Sequence, residues 1–216
     1  MAARRSADVR PNARRAEIYR TAAAIICERG FAGTSVNEIA RALGMTKAGL
    51  YHYISSKEAL LFEIMNFGME RVEAEVVRPV NGVRDPADRL RQLLVRHARI
   101  ATRARGAVSL VMEETRALPP PLRKKIVQRM RAYFVVVRDT LKELEAAGQL
   151  QDVDPTVAAF SLFGTIHWLP RWFRPGGRLT VDDAADEIAK VALHGILRPR
   201  SSRRSGRAKA KTRKYR

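Results

Sequence analysis

TSVNEIARALGMTKAGLYHYISSK, residues Thr34 to Lys57, is the stretch whose reading decides the fold. Val36, Ile39 and Ala40 give its opening residues a single apolar face, Ser35 and Glu38 stand at capping-box spacing, and Gly44 supplies a stop. That pattern predicts a short helix over about 35 to 43. A second is expected to start at Thr46, an N-cap residue, and to run to about Tyr53. Two short helices joined by a Gly44-Met45 turn make a helix-turn-helix, in which the first braces and the second enters the DNA major groove with its N-terminal residues toward base edges.

The residue types suit that geometry. Thr46 and Lys47 fall at the exposed start of the second helix, while Ala48 and Gly49 are small enough to let the backbone approach DNA. Tyr51, His52, Tyr53 and Lys57 offer hydroxyl, imidazole and ammonium donors to flanking phosphates. Tyr51 and Tyr53 have a second reading, as aromatics that tie the three-helix unit together. The core reading is preferred for Tyr51, the phosphate reading for Tyr53 and Lys57.

Outward from this stretch the chain reads as helix after helix, with almost no period-2 alternation of β-branched residues. Upstream, Ile18, Ala22, Ile25 and Ile26 recur at helical spacing and Gly30 follows, which predicts a helix over about 13 to 29. Downstream, Ser55 and Glu58 repeat the capping-box spacing before a long helix carrying Leu60, Leu61, Ile64, Met65, Val72 and Val76. Further helices are expected over about 86 to 104, 106 to 117, 120 to 147, 155 to 173 and 181 to 197. Asp85-Pro86 and Asp154-Pro155 start two of them cleanly, and Gly106, Pro119-Pro120-Pro121, Gly148 and Arg174-Pro175-Gly176-Gly177 are the breaks. The class is therefore all-α. Its expected division is a disordered basic arm over 1–11, a helix-turn-helix domain over 12–72 with the motif itself at about 35–54, a helical domain over 73–198, and a disordered basic tail over 199–216.

Composition narrows the function classes. The chain has 216 residues and a formal net charge of +19, with 46% hydrophobic and 29% charged residues. That is the make-up of a folded globular protein with a sizeable core. No apolar run approaches the ~18 residues of a membrane span. The N-terminal residues lack an apolar secretory core, so a cytoplasmic address is expected. One cysteine, Cys27, and four scattered histidines exclude a disulfide scaffold and a zinc finger. The basic ends read either as polyanion-binding arms or as solvating tails. No Gly-rich phosphate loop, nucleophile elbow or paired His/carboxylate motif is present, so an enzyme is disfavoured and no cofactor or metal is expected.

The run from Ala16 to Leu61 resembles the TetR/AcrR class of bacterial transcriptional regulators. The match is carried by Arg29-Gly30-Phe31, Thr34-Ser35-Val36, Glu38-Ile39-Ala40, Gly44-Met45-Thr46, Leu50-Tyr51-His52-Tyr53 and Ser56-Lys57-Glu58-Ala59-Leu60. Ile54 departs from it, where the family usually carries Phe. The resemblance implies a homodimer with an N-terminal DNA-binding domain and an all-helical C-terminal domain that dimerises and holds an effector. The expected function is a ligand-responsive repressor released from a pseudo-palindromic operator; the alternative is a sequence-independent nucleic-acid packaging protein. The DNA-binding set is expected to be Thr34, Ser35, Thr46, Lys47, Gly49, Tyr51, His52, Tyr53 and Lys57.

In the C-terminal half, Phe160, Gly164, Trp168 and Trp172 recur about every four residues on a helix apolar nearly all round, which suits a dimer bundle together with Ile188, Val191, Ala192 and Leu197; the alternative is that this is only monomer core. Arg171-Trp172-Phe173-Arg174-Pro175-Gly176-Gly177 looks like a segment in a TetR branch that senses acyl-CoA thioesters. That likeness implies Arg171, Arg174 or Arg178 facing the phosphates of such an effector and Trp168 or Trp172 near its apolar portion. The alternative is that these are interface residues. His97 is read as a packed core histidine or as pocket lining.

Overall fold

Polar caps fix where the helices begin. Ser35 Oγ accepts from the Glu38 N–H at 3.2 Å while Glu38 Oε2 accepts from the Ser35 N–H at 2.8 Å, closing the expected capping box. Thr180 and Asp183 close another, and the Asp154 carboxylate accepts from the N–H groups of Thr156 and Val157. These hydrogen bonds hold the Glu38, Asp154 and Asp183 carboxyls below their ordinary values. The cap expected at Ser55 is instead Ser56, which accepts from the Ala59 N–H at 3.0 Å.

The computed structural model describes residues 4–103 and 106–198. Among them the α-helices are α1 (Arg4–Arg29), α2 (Val36–Ala42), α3 (Lys47–Tyr51), α4 (Lys57–Val72), α5 (Pro86–Arg103), α6 (Ala107–Glu113), α7 (Pro120–Ala146), α8 (Pro155–Trp172) and α9 (Val181–Ile196). The described residues contain no strand, only a single antiparallel bridge between Leu150 and Leu197. No helix among them is long and apolar enough to cross a membrane. The class is all-α, as expected.

Two boundaries differ from the expectation, and one lies outside the described residues. Residues 4–11, expected as a basic arm, are helical and belong to α1. The expected tail over 199–216 lies outside the described residues. The helix expected over 106 to 117 ends at Glu113, and a 3₁₀ turn over Thr115–Ala117 follows. Glu114 leaves helical geometry, and its carboxylate is committed to the Phe31 N–H of the α1–α2 turn.

The chain forms two helical groups that share α4. Ile18, Ala22 and Ile26 of α1, Ile39 of α2, Leu50 of α3 and Leu60, Leu61 and Ile64 of α4 are all sealed from solvent and make the first core. Ile54 joins it at 6% exposure, so the aliphatic side chain fills the place expected of Phe. Between α2 and α3, Gly44 takes a φ of +64°, and its N–H and that of Met45 bond back to Arg41 and Ala40. This double closure of the helix end needs a left-handed residue and sets the turn of the helix-turn-helix. Beyond α4, the π-helical turn Glu73–Val77 and the 3₁₀ turn Arg78–Val80 redirect the chain into the second group. There α5 is the central helix, packed against α7, α8 and α9.

Candidate functional site

Leu50 is fully buried, and it fixes which side of α3 faces outward. Lys47, Ala48, Tyr51, His52 and Tyr53 lie exposed and Gly49 half-buried. Thr46 Oγ1 accepts from the Gly49 N–H at 3.0 Å, so this threonine both caps α3 and sits at its exposed tip. A Cβ at position 49 would come within 3.2 Å of that hydroxyl, which gives Gly49 a role in the cap besides leaving room for DNA. Tyr51 is 43% exposed and Tyr53 37%. The core reading of Tyr51 is thereby corrected: both phenols stand on the outward face. Lys57 opens α4 with its Nζ 4.2 Å above the Phe31 ring, a cation–π contact that steadies it beside α3.

Thr34 is a second correction. It is 2% exposed and its hydroxyl donates to the Gly30 carbonyl at 2.9 Å, so it braces the α1–α2 turn instead of offering a side chain to DNA. Ser35 remains exposed with its hydroxyl in the α2 cap. Arg29 is tied to Glu38 at 2.6 Å.

The second feature is a cavity of about 430 Å³ bounded by α4 to α8. Its walls include Gly68, Met69 and Val72 from α4, Val108 and Met112 from α6, Met130 and Phe134 from α7, and Phe160, Phe163 and Ile166 from α8. Met112, Val127 and Phe160 are exposed and mark the mouth, where Arg131 and His167 also line it. Two further polar groups line it, His97 of α5 and the buried Tyr133 of α7, with His97 Nδ1 3.1 Å from the Tyr133 hydroxyl. Burial, assisted by His167 nearby, drives the His97 pKa down to about 4. Burial likewise pushes the Tyr133 phenol up. Both are neutral at ordinary pH.

Comparison with known proteins agrees with this two-domain construction. Residues 18–64 match the model described as bacterial regulatory proteins, tetR family, and residues 83–196 match the tetracyclin repressor-like C-terminal domain. The chain belongs to the TetR family. It is 40% identical to AibR, solved in complex with isovaleryl coenzyme A and operator DNA; the match covers 82% of this chain and 97% of that one, with a TM-score of 0.76. It is 28% identical over 191 residues to the HTH-type transcriptional repressor KstR2 of Rhodococcus jostii, covering 86% of this chain and 92% of that protein. The structure of KstR2 from Mycobacterium tuberculosis superimposes with a TM-score of 0.78 at 26% identity, covering 86% of this chain and 96% of that one.

In this TetR-family chain the expected effector residues divide. His97 lines the cavity, whereas Trp168, Arg171, Trp172, Arg174 and Arg178 do not. The reason is helical phase. Phe160, Phe163, His167 and Pro170 recur at three- and four-residue steps on the cavity side of α8, so Trp168 and Trp172 are turned toward solvent, 58% and 46% exposed. Arg171 lies over the Trp168 ring and 3.4 Å from Glu113, Arg174 donates to the Arg171 carbonyl, and Arg178 is exposed. Val157 and Phe160 of α8 and Val191 of α9 are exposed as well. The cavity residues from α4, α6 and α7 were missed because periodicity marks a buried face without saying whether it meets packing or empty space.

The two TetR-type units meet at the ends of α6. Glu114 Oε1 accepts from the Phe31 N–H at 3.0 Å, reaching from the cavity domain to the α1–α2 turn. At the other end Gly106 lies against Ala23, and its carbonyl is 3.7 Å from Cys27 Sγ. Glu114→Ala leaves the Phe31 N–H without its partner, and a loss of about 1–3 kcal/mol in urea unfolding is expected. Glu114→Gln keeps an acceptor and should lose much less. Equal unfolding midpoints for the alanine variant and the parent would show that this contact does not join the domains.

Proposed function

We propose that this chain is a homodimeric transcriptional repressor, acting in the cytoplasm and not as an enzyme, that leaves a pseudo-palindromic operator when an acyl-CoA thioester fills its cavity. The observation that carries the reading is the placement of α6. Val108 and Met112 on this helix line the cavity, while its two ends hold the DNA-reading unit through Gly106 and Glu114. A ligand that binds better when α6 is displaced thus changes the spacing of two recognition helices, and weakens operator binding by its differential affinity for the two arrangements. The apolar walls suit an acyl group, and the AibR complex supports a CoA thioester as its carrier.

Lys47 and Thr46 read base edges, and Ser35, Gly49, Tyr51, His52, Tyr53 and Lys57 approach the backbone of the DNA. The exposed face of Val157, Trp168, Trp172 and Val191 pairs with the same face of a second copy. Arg131 at the mouth, together with Arg171, Arg174 and Arg178 on the nearby surface, faces the CoA phosphates.

Selection of bound sequences from random DNA tests the reading, and a palindrome released by acyl-CoA esters but not by free CoA is expected. Lys47→Ala should then relax preference at one position of each half-site at a cost of about 1–3 kcal/mol. Lys57→Ala should weaken all sequences alike. Recovery of unrelated sequences with equal affinity would leave a packaging protein.

A further inference from the structure

Besides Ser109, and Arg131 and His167 at the mouth, the polar groups on the cavity wall are His97 and Tyr133, which stand together. His97 sits among rings, with centroids 5.4 Å from Tyr133 and 5.8 Å from Phe163, and its one hydrogen bond among the described residues joins Nδ1 to the Tyr133 hydroxyl. Two phenylalanines would fill this corner with no polar atom to satisfy. His97 Nε2 makes no hydrogen bond among the described residues and yet is not one of the atoms sealed within the packing, so it opens on the cavity that the residue lines.

Proton counting shows what the pair offers. A neutral imidazole carries one N–H and the phenol one O–H, two hydrogens for a single mutual bond. If Tyr133 donates to Nδ1, the ring hydrogen is on Nε2 and faces the cavity. If Nδ1–H donates to Tyr133, the phenol hydrogen is free and Nε2 is an acceptor. In either tautomer one donor is left over. A carboxylate brought to this corner would meet a neutral imidazole and a neutral phenol, whereas a hydroxyl or ketone oxygen matches the spare donor.

We propose that His97 and Tyr133 read a neutral oxygen on the buried portion of the ligand, so that the cavity prefers oxygenated acyl groups to the matching hydrocarbons. This rests on the cavity being the effector site. The oxygen belongs to the acyl group and not to the thioester, because the mouth, through which the CoA portion emerges, is at Met112, Val127 and Phe160, and His97 lies on the central helix α5. A site with a buried donor discriminates strongly against an analogue that leaves the donor unpaired.

Two matched pairs test this by calorimetry on the full chain: 4-hydroxycyclohexanecarbonyl-CoA against cyclohexanecarbonyl-CoA, and p-cresol against toluene. The oxygenated member is expected to bind at least about tenfold more tightly in each pair. Tyr133→Phe, which removes only the hydroxyl, and His97→Phe, which puts an apolar ring in place of the imidazole, should shrink that preference to within about twofold by strengthening hydrocarbon binding. In the parent protein the His97 imidazole nitrogen resonances should move with p-cresol and stay with toluene. Equal affinities in the parent, or a preference that survives both substitutions, overturns the proposal. If p-cresol is preferred through His97 while neither CoA ester binds, the oxygen reader stands and the CoA reading falls. CoA esters that release DNA without preference give the reverse, and a cavity that takes neither pair removes both.

Discussion

Gly68→Val is expected to destabilise the protein by about 3 kcal/mol or more, because it forces a side chain into the junction between the domains. A Cβ at Gly68 would stand 2.7 Å from the Ala107 carbonyl oxygen, 2.9 Å from its carbon and 3.3 Å from the Val108 nitrogen. All three are backbone atoms at the start of α6, so no rotamer change relieves the overlap. The helices α4 and α6 must separate, and the valine methyl groups then add to the strain. Gly68 also lines the cavity, hence the same shift alters its wall and should blunt release of DNA by effector. Gly164 is the control: nothing lies within 4 Å of a Cβ there, and alanine should slightly stabilise the monomer through helix propensity. Urea unfolding of both variants checks the contrast, and a Gly68→Val midpoint equal to the parent's would show that α4 and α6 are not in fixed contact.

That contact illustrates what the sequence made legible and what it did not. Helix identity is local, so Ser35 with Glu38, Asp85-Pro86, Asp154-Pro155 and the glycine stops carried enough information to place nearly every element within a few residues. The exposed start of α3 was readable for the same reason, since an N-cap at Thr46 fixes where Lys47 falls. Tyr51 escaped because an aromatic in a small three-helix unit reads equally as core. The effector side was harder in a specific way. Phe160, Trp168 and Trp172 all belong to one apolar helix, and spacing put Phe160 in phase with both tryptophans. Which third of that helix meets the cavity depends on where α5 and α7 lie, and no residue of α8 encodes that. His97, an isolated histidine on an apolar face, stands out in the sequence, but its partner Tyr133 is 36 residues away, so the pair is a product of the fold.

The stability of the folded chain is expected to fall by about 3 kcal/mol between pH 6.5 and pH 4 through His97 alone. Burial holds this ring neutral down to about pH 4 in the folded protein, against 6.5 when exposed. Between those values the unfolded chain binds a proton that the native chain refuses, so stability rises with pH across the window. It is complete above about pH 6.5, declines as pH falls toward 4, and from this group falls no further below that. The groups facing His97 do not reverse the sign: His167 opposes its protonation, Arg131 on the same cavity is a cation, and Tyr133 stays neutral throughout. His97→Phe should remove this slope. The caps at Glu38, Asp154 and Asp183 act elsewhere on the pH axis, because their carboxyls already titrate below the ordinary carboxylate values of 4.5 and 3.8. Their loss begins where the histidine contribution is nearly spent. Unfolding free energies of parent and His97→Phe, measured at intervals from pH 7 to pH 4, should therefore change their separation steadily as the pH falls, the parent losing stability faster; parallel curves would mean that His97 takes up its proton in the folded state and is not held in a dry corner of the cavity.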